Sequence, residues 1–231
     1  NIEGLIQAYG EDIDLQAIAN LAVFAGIRKD ITKKSDSERD VLTRMLLLMD
    51  KGNMYGKMDI PKKHDFEHEV PELYRICAEK QGVFVNPALV EPFGIPLLEA
   101  MATGLPIVAT NDGGPKDINK NCNGGLLVDP KDTKSISNAI KKIIVNPETW
   151  NFHSKNAVIN TRKYYTWESH VDTYVKKMTS LCQHYEISNM NDEVSAPSIG
   201  KRLANLNYIL ITDIDNTLLG GNEKELRQLM D

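Results

Sequence analysis

The sequence predicts an α/β protein, a Rossmann-like doubly wound parallel sheet followed by the first strand of a second domain. Between residues 21 and 145, short apolar strands alternate with amphipathic helices. After residue 145, two helices follow each other with no strand between them, and a polar stretch at 187–203 leads to a new apolar strand at 208–213. Alternating strands and helices favour a parallel sheet with helices on both faces, and such sheets bind ligands at the carboxyl ends of their strands.

Each element of the first domain follows from a local pattern. Short apolar runs predict strands at 21–26, 54–60, 83–86, 106–110 and 126–129. Amphipathic spacing and turn signals predict helices at 37–51, 71–81, 95–103, 115–118, 135–145, 147–165 and 167–185. Ser35 or Ser37 caps the first of these helices, and Pro71 opens the second. We therefore predict a first domain over 1–185, a linker over 186–205 and the start of a further domain over 206–231.

Composition and charge exclude several classes of protein. With 42% hydrophobic and 26% charged residues, the chain is typical of a globular protein and not of a disordered or collagenous one. Its net charge of -5 argues against nucleic acid and membrane as partners, because phosphate-rich surfaces require a basic protein face. The apolar run at 45–49 is far too short to cross a bilayer.

The cysteines predict a reducing compartment. Cys77, Cys122 and Cys182 are odd in number and widely spaced, which fits neither a disulfide framework nor a metal-binding Cys-x-x-Cys pair. On this ground alone we expect a cytoplasmic protein. The sequence begins at Asn1 rather than at methionine, and already within a predicted helix, so we expect it to be an internal segment of a longer protein.

Two glutamates flank a turn that joins a buried strand to a helix. Glu91 stands before the turn at 92–94, and Glu99 lies about one turn into the helix. Gly94 allows close approach of a ligand and adopts positive φ readily. The helix start offers unpaired amides, notably at 97 and 98, and the positive end of its dipole, which suit a diphosphate. Both carboxylates can accept hydrogen bonds from sugar hydroxyls. Alternatively, Glu91 is an ordinary loop residue and Glu99 interacts with the helix dipole, and spacing alone does not separate these alternatives.

The residues around these glutamates resemble a known family. The chain reads Asn-Pro-Ala-Leu-Val-Glu-Pro-Phe-Gly at 86–94, Ala-Met-Ala-Thr-Gly-Leu-Pro-Ile-Val-Ala-Thr at 100–110 and Gly-Gly-Pro at 113–115. This closely resembles the nucleotide-sugar-binding C-terminal half of retaining glycosyltransferases of the GT-B fold. Within them it is most similar to the sucrose-phosphate synthase group, in which Gly-Leu-Leu-Val-Asp-Pro, here 125–130, also occurs. The resemblance covers residues 1 to about 185.

The resemblance implies a role for each matching residue. Glu91 would bind hydroxyls of the donor glucose, and Glu99 would bind the ribose of UDP. Phe93 and Gly94 would contact the glucose through their backbone amides. These four residues would therefore hold the two sugar rings of the donor.

The implied contacts of the diphosphate are Leu97 and Leu98. The family needs no bound metal or other cofactor for transfer. Instead, an arginine and a lysine balance the charge of the diphosphate, and they lie before the position that matches Asn1. Pro96 departs from the family pattern, in which threonine is common at that position.

The resemblance also implies a reaction. UDP-glucose and fructose 6-phosphate would give sucrose 6-phosphate and UDP, with retained anomeric configuration, through positioning and charge stabilisation. Two alternatives stay open: a related transferase with another donor or acceptor, such as a mannosylfructose-phosphate synthase using GDP-mannose, and a non-catalytic sensor of sugar phosphates. The acceptor-binding domain of the family is not part of the sequence, so we expect this chain alone to transfer nothing.

A second acidic pair follows the strand at the far end of the chain. Asp213 and Asp215 stand two positions apart, so one carboxylate can face a metal and a phosphate while the other delivers a proton; an Asx turn is the alternative. With Thr217, the pair resembles the first motif of haloacid-dehalogenase (HAD)-type phosphatases, and the stretch at 219–221 extends the match toward sucrose-phosphate phosphatases. The resemblance implies that Asp213 is the nucleophile, that Asp215 is the general acid/base, and that both help to hold Mg2+. The later motifs of such enzymes need a longer chain, so we expect no hydrolysis by this segment alone.

Two weaker candidates complete the first domain. The glycines of the Gly-Gly-Pro turn at 113–115 follow a strand end and indicate a wall of the sugar pocket. Arg28 and Lys29 follow the first strand, where they either approach a nucleotide phosphate or form a solvated pair. The resemblance places Pro61 and Lys62 near the uracil pocket.

Overall fold

A computed structural model describes the backbone of residues 1–24 and 26–191, and the side chains as far as residue 182. The chain divides into two units, Asn1–Tyr174 and Val175–Asp231. The predicted strand at 208–213 and the acidic pair behind it lie outside the described residues. The site described below belongs entirely to the first unit.

Strands and helices alternate along the first unit as the sequence predicts. The strands are β1 (Leu21–Ala22), β2 (Met58–Asp59), β3 (Phe84–Asn86), β4 (Ile107–Thr110) and β5 (Gly125–Val128). The helices up to β4 are α1 (Ile2–Gly10), α2 (Ile13–Ile18), α3 (Asp36–Lys51), α4 (Glu69–Glu79) and α5 (Ile95–Ala102), with a 3-10 turn at Ile31–Lys33. The later helices are α6 (Gly114–Cys122), α7 (Thr133–Ile144), α8 (Pro147–Tyr164) and α9 (Trp167–Asn191). Helix α9 thus runs past its predicted end at 185.

All pairing between these strands is parallel, but the described residues form two sheets instead of the single predicted one. β1 pairs with β2, and β3, β4 and β5 pair in that order. The strands predicted at 21–26 and 54–60 shrink to two residues each. In the second, a turn at 55–57, in which Gly56 has φ 75°, precedes β2. In the described part of the chain, no strand pairing joins the two sheets.

Helices cover both faces of the β3–β5 sheet, as in a doubly wound fold. Successive residues of a strand point to opposite faces, and β4 follows this rule. Val108 packs in a hydrophobic cluster with α1 and α7, whereas Ile107 and Ala109 pack in a second cluster with α5, α6 and α8. Val23 and Met58, from the β1–β2 region, share the cluster of Val108, so one core joins the two sheets.

Capping side chains fix where several helices begin. The hydroxyl of Ser35 accepts a hydrogen bond from the Glu38 amide at 3.4 Å, which confirms Ser35 as the cap of α3. Asp132 caps α7 and moves its start to Thr133, two residues before the predicted one. Helix α6 continues beyond the predicted 115–118 and ends where Asn123 adopts a left-handed conformation with φ 49°.

The helices and cysteines of the described residues can be compared with the predictions of no membrane span and no disulfide framework. None of these helices is long and apolar enough to span a membrane. The thiols of Cys77, Cys122 and Cys182 are free. Burial raises the pKa of both the Cys77 and the Cys122 thiol, so neither is an activated thiolate at neutral pH.

Candidate functional site

The carboxyl ends of both sheets lie on the same side of the first unit, and helix α1 demonstrates this. At its start, the Asn1 side-chain amide donates to the carbonyl oxygen of Pro87, just after β3, at 2.9 Å. At its other end, the Tyr9 hydroxyl lies 2.8 Å from the Ala19 carbonyl oxygen and 3.2 Å from that of Lys57, just before β1 and β2. α1 therefore runs from the carboxyl end of one sheet to the amino end of the other, and the two sheets point the same way.

The turn between β3 and α5 is supported by the turn between β4 and α6. Glu91 and Gly113 form an isolated parallel bridge, and the Gly114 amide donates to the Glu91 carbonyl oxygen at 2.9 Å. A Cβ on Gly113 would fall on the Glu91 carbonyl, and one on Gly114 would fall on the Phe93 backbone. The two glycines therefore pack directly against the backbone of the Glu91 turn and support it, because no side chain fits there. The sequence predicted them as a wall of the sugar pocket.

Gly94 begins helix α5 in a left-handed conformation, with φ 103° and ψ 40°. The amides of Leu97 and Leu98 donate to its carbonyl oxygen at 3.0 Å and 3.4 Å, and the Leu97 side chain is fully buried. The prediction that these two amides are unpaired is therefore wrong, because the first turn tightens and satisfies them internally. Among the described residues, nothing accepts a hydrogen bond from the amides of Gly94 and Ile95.

Asn86 orients the carboxylate of Glu91. Its side-chain amide donates to Glu91 Oε2 at 3.2 Å, while its own Oδ1 accepts from the Ala88 amide at 3.3 Å. Asn86 is the last residue of β3, so the strand fixes where this amide stands. Sequence reasoning assigned no role to Asn86; the signal was a polar amide at the end of a buried strand.

Glu99 lies half-buried on α5, and burial raises the pKa of its carboxyl group. Tyr74 of α4 lies near it: burial and the charge of Glu99 together raise the pKa of this tyrosine to about 12. The Tyr74 ring packs edge-on against Phe84, with ring centroids 5.4 Å apart. No described group donates a hydrogen bond to the Glu99 carboxylate, which leaves it an open acceptor beside Tyr74, a neighbour that sequence reasoning missed.

Apolar side chains surround the Glu91 turn. Leu89, Val90, Phe93 and Ile95 are each more than half exposed, at 53%, 66%, 56% and 58%. Large exposed apolar side chains beside a few convergent polar groups are typical of surfaces that bind a ligand or a partner. The Glu91 turn thus combines an oriented carboxylate, free amides and an apolar rim.

The other predicted site residues do not join this cluster. Asp213 and Asp215 lie outside the described residues. Arg28 is buried and donates to backbone carbonyls instead of pointing outward, whereas Lys29 is exposed. Within the described residues, no three His, Cys, Asp or Glu side chains lie together as a metal site would require.

Comparisons with known proteins place the chain in a family and identify relatives. The model of the family described as glycosyl transferases group 1 matches residues 1–161. The chain is 38% identical to sucrose-phosphate synthase 4 of Arabidopsis thaliana over 99% of its own length and 22% of that protein. It is 45% identical to the sucrose-phosphate synthase of Zea mays over 77% of its own length and 16% of that protein. The chain thus spans about a fifth of the length of these curated relatives.

Solved structures give the same fold. The sucrose-phosphate synthase of Thermosynechococcus elongatus superimposes with a TM-score of 0.60 at 26% identity, over 80% of this chain and 44% of that one. The C-terminal domain of a group 1 glycosyl transferase from Francisella tularensis gives a TM-score of 0.61 at 19% identity, over 72% of this chain and 80% of that domain. The α/β fold with parallel sheets therefore matches the C-terminal domain of GT-B glycosyltransferases.

Proposed function

Because the chain belongs to the group 1 glycosyl transferases, we propose that it is the donor-binding part of an enzyme that transfers glucose from UDP-glucose to fructose 6-phosphate. The products are sucrose 6-phosphate and UDP, with the anomeric configuration retained. The observation that carries this proposal is the Glu91 turn, which is clamped at the carboxyl ends of β3 and β4 with its carboxylate oriented. The 38% and 45% identity to two plant sucrose-phosphate synthases supports the choice of donor and acceptor.

In this proposal the glucose lies against the Glu91 turn. Asn86 occupies one carboxylate oxygen of Glu91, so the other is left to accept hydrogen bonds from sugar hydroxyls. The backbone of Phe93 and Gly94 lines the same turn. Fixing these groups before the sugar arrives reduces the entropy cost of positioning it for transfer.

The diphosphate lies at the start of α5. The free amides of Gly94 and Ile95 and the positive end of the helix dipole favour a doubly charged group there. Leu97 and Leu98 remain predicted contacts, although their amides already bond to the Gly94 carbonyl. No cofactor takes part in the transfer as we propose it.

The ribose lies at Glu99, one turn further along α5. Its carboxylate has no donor among the described residues, and its raised pKa reflects a cost of burying the charge. Two ribose hydroxyls that donate to this carboxylate would replace the hydrogen bonds that burial removes. Glu91 and Glu99 then hold sugar rings on opposite sides of the diphosphate.

Product analysis on the full-length protein tests this assignment. UDP-glucose and fructose 6-phosphate are supplied to the wild type, to Glu91→Gln and to the exposed control Glu79→Gln. We expect sucrose 6-phosphate from the wild type and the control, and a loss of more than about a hundredfold in kcat/KM for Glu91→Gln, as is typical when a group that stabilises the transition state is removed. Turnover by Glu91→Gln equal to the control would refute the role of Glu91.

The same assay separates the alternatives. Turnover with GDP-mannose or with another acceptor, and none with UDP-glucose, points to a related transferase with the same fold. Binding of UDP-glucose without turnover by any acceptor points to a sensor of sugar nucleotides. Either result overturns the sucrose 6-phosphate assignment.

A phosphatase activity is a separate proposal that rests on sequence alone. We propose that residues 206–231 begin a HAD-type domain in which Asp213 is the nucleophile, Asp215 is the general acid/base, and both help to hold Mg2+. If so, sucrose 6-phosphate accumulates in the full-length Asp213→Asn variant, while the wild type releases sucrose. Equal amounts of sucrose from both proteins would contradict the proposal. A cytoplasmic location, based on cysteine usage, belongs with these proposals.

A further inference from the structure

A buried arginine fastens the loop after β1 to the loop after β2. Arg28 is only 7% exposed, and its guanidinium donates to the carbonyl oxygens of Ile60 at 2.8 Å and Pro61 at 2.9 Å. Its backbone amide also donates to the Lys62 carbonyl oxygen at 2.8 Å. Three hydrogen bonds from one residue therefore set the separation and orientation of the two loops.

Burying the Arg28 guanidinium with one nitrogen unpaired lowers the stability of the fold, which argues that Arg28 has a role other than stabilisation. A buried charge must replace its water shell with hydrogen bonds, and Arg28 Nε has no partner. His64 Nδ1, on the loop after β2, is also buried without a partner. Of the three such atoms found in the described side chains, two lie on these two loops. Unsatisfied buried groups are rare, and their concentration at one place calls for an explanation.

The two loops stand where a ligand of a parallel sheet binds. They follow the carboxyl ends of β1 and β2, and those ends lie on the same side of the unit as the Glu91 turn, as the contacts of α1 establish. They belong to the other sheet, so they are displaced from the Glu91 turn along this edge. A nucleotide sugar is elongated: with its sugar and diphosphate at α5, its base reaches further along the edge.

We infer that Arg28 is a positioning residue, whose guanidinium holds the loop after β2 in the shape that receives the base of the nucleotide donor. This inference rests on the proposed function. The planar guanidinium presents parallel donors, which suits two successive carbonyl groups better than the single ammonium of lysine. Across the same two loops, the rings of Phe24 and His64 meet edge-on with centroids 5.7 Å apart. Arg28 acts through these loops and touches neither the sugar nor the diphosphate.

The test compares donor binding with turnover in the full-length protein. Variants are Arg28→Ala, Arg28→Lys and Arg162→Ala, which removes an exposed arginine of α8 as a matched control. For Arg28→Ala we expect the KM for UDP-glucose and the Kd for UDP to rise about tenfold or more, corresponding to roughly 1.4 kcal/mol, with kcat nearly unchanged. Arg28→Lys should lie between Arg28→Ala and the wild type, and added guanidinium ion should partly restore UDP binding to Arg28→Ala.

A second probe separates base recognition from general loss of structure. Inorganic pyrophosphate lacks a base, so its inhibition constant should be the same in Arg28→Lys and in the wild type, although UDP binds the variant less tightly. If Arg28→Ala does not fold, Arg28→Lys carries the comparison. Equal UDP affinity in the wild type and Arg28→Lys, or parallel weakening of UDP and pyrophosphate, overturns the inference. A wild type that binds no UDP overturns the proposed function as well, which distinguishes the two failures.

Discussion

The contact between Gly113 and the Glu91 carbonyl predicts a large local effect of a single methyl group. In Gly113→Ala, the new Cβ falls on the Glu91 carbonyl oxygen, and the residue must keep φ 73° and ψ -147°, a conformation that only glycine adopts easily. The backbone strain costs about 1–3 kcal/mol. Displacing the carbonyl adds about 1–3 kcal/mol, the usual cost of overpacking. The sum is about 2–6 kcal/mol, concentrated in the bridge between the two turns.

Gly56→Ala is the matched control for this prediction. Gly56 has almost the same φ, 75°, but a Cβ there would meet nothing within 4 Å. Only the left-handed conformation is penalised, by about 1–2 kcal/mol. The two variants share the penalty of a positive φ, so the excess effect of Gly113→Ala measures the contact with Glu91 together with the strain at ψ -147°.

Amide hydrogen exchange measures the effect where it arises. The Gly114 amide, bonded to the Glu91 carbonyl oxygen at 2.9 Å, should exchange at least about tenfold faster in Gly113→Ala than in Gly56→Ala. The KM for UDP-glucose should rise with it, because the Glu91 turn loses its support. Equal exchange of this amide in both variants would refute the reasoning, since it would mean that the carbonyl moves aside at no cost.

Three further predictions concern single interactions. Asp12→Asn removes the ion pair between Asp12 and Lys141, 2.6 Å apart, and should lower the free energy of unfolding by about 0.5–1 kcal/mol. Asp12→Ala also removes the side-chain cap of α2 and should lower it by about 1 kcal/mol more. Burial alone would raise the pKa of the Asp12 carboxyl group, but hydrogen bonds from Lys141 and the Leu15 amide outweigh it and lower that pKa. The stabilisation by charged Asp12 is therefore present above the ordinary pKa of 3.8 and is lost as the pH falls through the lowered pKa of the folded state. Equal loss of stability in acid for Asp12→Asn and the wild type, measured by urea unfolding, would contradict this. The pKa of Glu99 is raised, so its charged form destabilises the fold as the pH rises above the ordinary pKa of 4.5. Glu99→Gln should therefore be more thermostable than the wild type at pH 8 but not at pH 4, and it should bind UDP less tightly. A difference in thermostability that does not depend on pH would contradict this pKa argument. Trp150→Phe loses the hydrogen bond to the Gly82 carbonyl at 2.7 Å and should cost about 1–3 kcal/mol in urea unfolding, and a neutral effect would show that this carbonyl finds another donor.

Local sequence patterns predicted most elements, because their causes are local. Alternating apolar runs located β3, β4 and β5, and the Ser35 cap located the start of α3. The strand predicted at 54–60 shrinks to Met58–Asp59, because the apolar residue at its start packs in the core from a turn. Met54 is buried in the core from within a turn that follows α3, so an apolar residue there does not imply extended backbone.

The pairing of the strands was only partly predictable. Alternation of strands and helices favours parallel pairing, and the structure has it throughout the described residues. Alternation does not fix which strands are neighbours, because that depends on contacts between residues far apart in the chain. The separation into a β1–β2 sheet and a β3–β5 sheet is of this kind.

The same distinction between local and long-range causes applies to the residues of the candidate site. The motif around Glu91 and Glu99 is continuous in sequence, so its likeness to a family was visible before any coordinates were considered. Gly113 was visible as a turn, but its contact with the Glu91 carbonyl depends on the register of β3 against β4, in which Asn86 pairs with Ala109. The residues proposed to bind a ligand therefore show in the sequence, whereas those that hold them in place show only in the structure.

Arg28 illustrates why the supporting residues escape sequence reasoning. An arginine beside a lysine after a strand resembles a solvated or phosphate-binding pair, and both interpretations place its charge outward. The structure buries it instead, because the carbonyl groups of Ile60 and Pro61 at the end of β2 lack other donors among the described residues. A basic residue near a strand end is thus a candidate for holding a loop, and the exposure of its side chain decides between that role and direct contact with a ligand.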